Sequence, residues 1–197
     1  MSEFLVPPAS KRDIQKLALM VRQRFGLENI AFFPVVEMIE VALSAFDSEF
    51  NFEIIEDSEF GQDAANYNPQ LNLMRIRQSV YDGACNGNGR DRFTLAHELG
   101  HYFMHRNVDL AMSRIDSTYN VPAYRKSEWQ ANTFAAALLM PMHIICDMRP
   151  EEIAKACGTS LSAASIAYTQ KRSNVGKRYF LGITGSVIPD SCNHNTK

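Results

Sequence analysis

The chain carries no C-x-x-C pair: Cys85, Cys146, Cys157 and Cys192 stand far apart. That spacing excludes a zinc ribbon or a dense disulfide framework and predicts reduced thiols. No apolar run approaches the ~20 residues that a membrane-spanning helix needs. The opening stretch MSEFLVPPASKRD meets Pro7 and Pro8 at once, without a basic stretch leading into an apolar one. A secretory signal is therefore not expected, and a cytoplasmic setting is. Positive charge is not in surplus either. Lys and Arg number 20 against 22 Asp and Glu, a net charge of -2. A chain that met nucleic acid over one broad face would be basic, so direct nucleic-acid binding is not expected. The run Asn86-Gly87-Asn88-Gly89 lacks the glycine spacing and the following Gly-Lys-Ser/Thr of a phosphate cradle. What remains is 197 residues, 46% hydrophobic and 21% charged, which is one folded domain with room for a small appendage.

Hydrophobic spacing predicts a helix over residues 10–26. Ser10 caps it, Ile14, Leu17, Ala18, Val21 and Phe25 form its stripe, and Gly26 stops it. A second helix is expected from Pro34 to about Phe46. The period then shortens: residues 52–55 and 71–77 read as strands, with Asn66, Asn68 and Pro69 as a turn between them. Residues 82–89 read as a loop. A third helix is expected from about Arg90 to His105, an irregular stretch over 106–125, and a fourth helix from Ser127 to Met140, stopped by Pro141. Two further helices follow, from Pro150 to about Gly158 and from about Thr159 to Lys171. The tail holds one strand candidate, 179–183.

The third helix contains His97-Glu98-Leu99-Gly100-His101. Two histidines four apart project from one helix face about 6 Å apart, a spacing that lets both imidazoles hold one tetrahedral ion. Glu98 lies ~100° round from His97, off the ligand line but within reach of a water beside the ion. This H-E-x-x-H arrangement is that of zinc peptidases in which the Glu is the general base. The neighbours Phe93, Leu95, Ala96, Leu99 and Phe103 bury the helix, and buried imidazoles need partners for their nitrogens. Gly100 costs a helix about 1 kcal/mol against Ala, which points to a close approach at its backbone.

Catalytic zinc takes a third protein ligand. A histidine six residues beyond His101 is absent, since that position holds Asn107 and position 104 holds Met104 rather than glycine. Helix four offers Glu128, with Asn132 on the same face to orient a ligand imidazole. Ala131, Ala135 and Ala136 keep that helix thin enough to lie against Gly100. Asp109 and Asp116 are the rival ligands.

RFTLAHELGHYFMH (residues 92–105) and EWQANTFAAALLMP (residues 128–141), in that order, resemble the ImmA/IrrE family of zinc metallopeptidases. The resemblance spans roughly residues 10–170. It implies Zn2+ held by His97, His101 and Glu128, with Glu98 catalytic. The implied fold is α+β, a mostly helical zincin-like metallopeptidase domain with a small β-sheet and the two motif helices packed together. The domain is expected over residues 1–173, with 174–197 as a C-terminal extension. The resemblance also implies a bacterial or phage regulator that cleaves a protein substrate, a repressor with a helix-turn-helix, and so regulates transcription.

His105, Tyr119 and Tyr124 are candidates to stabilise an oxyanion or touch substrate. His105 also reads as a helix-end histidine favoured by the dipole. The strand over 71–77 is a candidate to hold substrate as an added strand. Residues 150–172 have the local shape of a helix-turn-helix, but the second helix lacks Arg or Asn near its start to read bases, so a packed αα-hairpin is the expectation. The competing function, from another class, is a zinc-stabilised regulator that binds DNA or a partner without cleaving it. An intact Glu98 favours the enzyme.

Overall fold

The computed structural model describes residues 4–108 and 121–170, as a mostly helical α+β unit with one three-stranded sheet. Helix α1 (Lys11–Arg24) begins where the Ser10 hydroxyl accepts the Asp13 N–H at 3.2 Å, and it buries Ile14, Ala18 and Val21. Helix α2 (35–46) runs through Val35–Glu37, a π-wound turn Met38–Leu43, and Ser44–Phe46.

Strand β1 (Asn51–Ile55) is parallel to β3 (Leu73–Arg77), and β2 (Ala65–Asn68) is antiparallel to β3, giving the order β1-β3-β2. Two expectations change here. The segment read as a turn, Asn66 to Asn68, is itself a strand, because β3 supplies a backbone partner for a stretch whose alternation is only two residues deep, Ala65 and Tyr67. The 71–77 strand is central, its ladder satisfied on both sides, so it has no edge to offer an added strand. The edges belong to β1 and β2, and β2 is the one that lies along α4.

Helix α3 (Gln78–Cys85) occupies the front of the expected loop, and α4 (Gly89–His105) starts at Asn88, whose side chain accepts the N–H groups of Arg90 and Asp91. A 3₁₀ turn at Ala123–Arg125 leads into α5 (Ser127–Leu139), followed by α6 (Met142–Ile145) and α7 (Pro150–Cys157). Gly158 stops α7 in the left-handed conformation, φ 62°, and α8 covers 161–170. The α7–α8 hairpin packs into the core through Ile153, Cys157 and Ala164. Tyr119, the rival acids Asp109 and Asp116, the 179–183 strand and the 174–197 extension all lie outside the described residues. Among the described residues, no helix is long and apolar enough to cross a membrane.

Helix α5 packs against both α4 and α1, and β2 lies along α4. The core beneath includes Leu95, Leu99, Phe134, Leu138, Met74 and Ile76, all fully enclosed. Two buried arginines tie loops to it. Arg22 donates to the carbonyls of Leu27, Ile30 and Leu138, and Arg92 to those of Phe33 and Gly158. Backbone carbonyls thus take the place of counter-ions, as burial of a guanidinium requires. The N-terminal segment runs along the entry to α5: Val6 N–H bonds the Arg125 carbonyl at 3.0 Å, and Ala9 N–H the Tyr124 carbonyl at 3.1 Å.

Candidate metal centre

His97 and His101 leave α4 one turn apart, and α5 delivers Glu128 from its first turn. Ligand atoms from these three residues all lie within 4.8 Å of one another. Glu128 Oε2 is 3.1 Å from His97 Nε2, and Glu128 Oε1 is 3.4 Å from His101 Nε2. The two Nε2 atoms are 3.0 Å apart. The 3.4 Å approach is an ion-pair contact without hydrogen-bond alignment, and the buried Glu128 Oε1 accepts no hydrogen bond from the described residues. Two nitrogens and a carboxylate oxygen converging this closely need shared protons or a cation among them.

Burial alone would lower the pKa of His97, but its bond to Glu128 and the Glu98 charge outweigh that and raise it. His101, more enclosed, is lowered by burial and by its neighbour His97. Burial would raise Glu128, yet the two imidazoles hold it well below the usual carboxylate range. The donor set, two nitrogens and one carboxylate, suits zinc, and the residues present therefore fit that ion.

Glu98 sits beside this group and is 3% exposed. Burial pushes its carboxyl up to about 7, opposed by the charge on His97 and by the Tyr67 backbone N–H that bonds it. Among the described residues, its Oε2 has no hydrogen-bond partner. A cleft of about 270 Å³ opens here, lined by His97, Glu98, Glu128 and Asn132 together with Ala64 and Ala65 at the start of β2. The β2 edge thus borders the site.

Asn132, one turn beyond Glu128, places its Oδ1 3.2 Å from His97 Nδ1. His105 goes elsewhere than the sequence reading had it. It is 1% exposed, its Nδ1 is 3.1 Å from His101 Nδ1 and its Nε2 3.1 Å from Gln130 Oε1. With both ring nitrogens engaged inside the protein, it has none to turn toward a substrate. Tyr124 is 48% exposed and lines a separate cleft with Pro8, Lys11 and Trp129, away from the metal group. Gln130 escaped the sequence reading, although its position between Glu128 and Asn132 was a signal. So did Tyr67, since an N–H on an unrecognised strand leaves no mark in sequence.

The sequence profile of the family described as Peptidase_M78, IrrE N-terminal-like domain, matches residues 58–164, which include both motif helices. A curated relative, the radiation response metalloprotease IrrE of Deinococcus radiodurans, is 34% identical over 114 residues. That alignment covers 53% of this chain and 33% of the relative, so the chain spans about a third of the relative's length. Among solved structures, a Mycobacterium tuberculosis transcriptional regulator superposes with a TM-score of 0.49 at 12% identity, over 78% of this chain and 45% of that one. With the profile covering more than half of the chain, and the motifs of residues 92–105 and 128–141 within it, the chain belongs to the ImmA/IrrE peptidase family.

Proposed function

We propose that this chain is a zinc-dependent endopeptidase that cleaves a cytoplasmic protein, a helix-turn-helix repressor, and thereby regulates transcription. The observation that carries the reading is the convergence of His97, His101 and Glu128 within 4.8 Å beside a buried Glu98 at an open cleft. His97, His101 and Glu128 would hold the ion. When bound, zinc would supply Lewis acidity to the scissile carbonyl and to the attacking water.

The chain's own residues do the rest. Glu98 takes the proton of the water and passes it to the leaving amine. Its burial supports this role, because a carboxylate in an apolar setting is a stronger base than one in water. The Tyr67 N–H holds one side of that carboxylate and leaves Oε2 open for the proton. Asn132 accepts from His97 Nδ1 and keeps the opposite nitrogen bare. An extended substrate fits along the outer edge of β2, where main-chain groups beside Ala65 face the cleft. The cleft is small, so selectivity comes from a folded partner bound outside it, with that binding energy used at the scissile bond. Residues 1–173 form the catalytic unit in this reading.

The test pairs metal analysis with cleavage of a repressor encoded beside this chain. Wild type is expected to carry about one zinc, His97→Ala none, and Glu98→Gln a full complement without producing fragments. Cleavage by Glu98→Gln at the wild-type rate would remove the general base. Salt-sensitive DNA binding with zinc bound and no fragments would replace this reading with that of a non-cleaving regulator.

A further inference from the structure

The geometry points to Gln130 and His105 as a relay that holds His101 in one tautomer, with Nδ1 protonated and Nε2 bare for the metal. This rests on the reading of His101 as a metal ligand and extends it to two residues that do not touch the ion.

Gln130 is 2% exposed. Its Nε2 donates to the Pro7 carbonyl at 2.9 Å and to the Tyr124 carbonyl at 2.8 Å. Both amide protons are thereby used, and the orientation of the amide is settled: turning it over would set its oxygen against two carbonyl oxygens. The Gln130 oxygen therefore faces His105 Nε2, 3.1 Å away, and an oxygen there can only accept. His105 must carry its proton on Nε2.

A neutral imidazole with a protonated Nε2 has a lone pair on Nδ1. That lone pair faces His101 Nδ1 at 3.1 Å. Two lone pairs cannot share that distance, so His101 donates from Nδ1. Its own Nε2 is then bare, and it is this atom that lies 3.4 Å from Glu128 and 3.0 Å from His97 Nε2. With His105 neutral, the direction of every proton follows from the two carbonyls at Pro7 and Tyr124.

The relay is enclosed. Phe4 covers His105 with an edge-on ring contact at 5.7 Å, and also faces His101 at 6.3 Å. The Phe4 N–H bonds Ser127 Oγ, and its carbonyl accepts the Ser127 N–H at 3.1 Å. The N-terminal segment thus does two things: it shields the histidines from water that could swap protons, and through Pro7 it orients Gln130. Asn132 plays the matching part for His97 with a single contact.

The experiment uses the full chain labelled with 15N at histidine. Long-range nitrogen–proton spectra are recorded at pH 8 without metal and with one equivalent of zinc. In wild type the expected pattern is a protonated Nε2 on His105, a protonated Nδ1 on His101, and a His101 Nε2 that shifts when zinc is added while its Nδ1 proton stays. Zinc affinity, measured by chelator competition, is expected to fall ~10–100-fold in Gln130→Met, the range seen when groups behind a ligand are lost. Gln130→Glu keeps an acceptor for His105 but sets its second carboxylate oxygen against the Pro7 and Tyr124 carbonyls, so it is expected to lose zinc affinity as well.

A His105 protonated on Nδ1, or a His101 protonated on Nε2 in the wild-type protein, would overturn the relay while zinc binding still upheld the metal site. Because that measurement needs no variant, misfolding of Gln130→Met leaves the proposal open to refutation. If the tautomers were as stated but zinc left the His101 signals unmoved, the metal reading itself would fall, and the role of the relay with it.

Discussion

Gly100 of α4 lies so close to Ala131 of α5 that a Cβ on the glycine would stand 2.9 Å from the Ala131 Cα and 3.0 Å from its carbonyl oxygen. These contacts are with backbone, which cannot swing aside as a side chain can. The pair therefore sets the separation of the two helices that carry His101 and Glu128.

Gly100→Ala is expected to destabilise the protein although alanine is the better helix former. Overpacking costs typically 1–3 kcal/mol, against about 1 kcal/mol gained in helix propensity. Pushing α5 away would also part Glu128 from the histidines, so zinc stoichiometry should fall together with the melting temperature. A variant that melts at or above wild type with full zinc would show that the helices separate without consequence.

Asn132→Ala addresses His97 without disturbing the core, because Asn132 is exposed. Its Oδ1 sits 3.2 Å from His97 Nδ1. Removing it is expected to weaken zinc affinity or turnover by ~10–100-fold with the circular dichroism unchanged. Equal zinc affinity and equal turnover in the variant would reduce Asn132 to an ordinary surface residue.

Asp47 predicts an acid limb of stability. Its Oδ2 accepts from Asn72 Nδ2 at 2.9 Å and from the Tyr102 hydroxyl at 2.9 Å, and pairs with Arg106. Burial would raise the Asp47 carboxyl, but these donors and the guanidinium outweigh it and hold its pKa below the ordinary carboxylate range. A pKa depressed in the folded state stabilises fully above the unfolded value, about 3.9, and that contribution is lost as pH falls through the folded value. Asp47→Asn should therefore be less stable than wild type at pH 7 in urea titrations, with the gap closing below about pH 4. A gap that stayed constant down to pH 3 would mean that the Asp47 charge contributes nothing. The same network reaches Tyr67, whose hydroxyl donates to Asn72 Oδ1 at 2.7 Å, so it also steadies the strand that bonds Glu98.

Much of the helical framework was legible from periodicity. Residues 10–26, 34–46, 90–105 and 127–140 were expected as helices, and α1, α2, α4 and α5 occupy nearly those spans. In α1 and α2 the apolar residues repeat at helical spacing because each meets the core along one side, whereas α5 lies between α4 and α1 and is apolar on more than one side. The misses were short elements. β2, with the sequence Ala-Asn-Tyr-Asn, carries too little hydrophobic pattern to announce a strand, and α3 was hidden by Asp82-Gly83, a dipeptide that normally marks a turn.

The sequence by itself determined what lies within one helix turn: His97 and His101 on a common face, Glu98 off that face, and Glu128 aligned with Asn132. Helical geometry imposes those relations wherever the helix packs. The bare glycine at 100 and the alanine at 131 likewise predicted a close crossing of two helices. What only tertiary structure decided lies between segments far apart in the chain. The pairing that makes β2 an edge strand beside the site, the Tyr67 N–H on Glu98, the carbonyls of Pro7 and Tyr124 on Gln130, and the turn of His105 away from the cleft are such relations. Hydrogen bonds to backbone groups depend on where a carbonyl or an N–H points in space, and every residue but proline carries both, so residue identity holds no record of them.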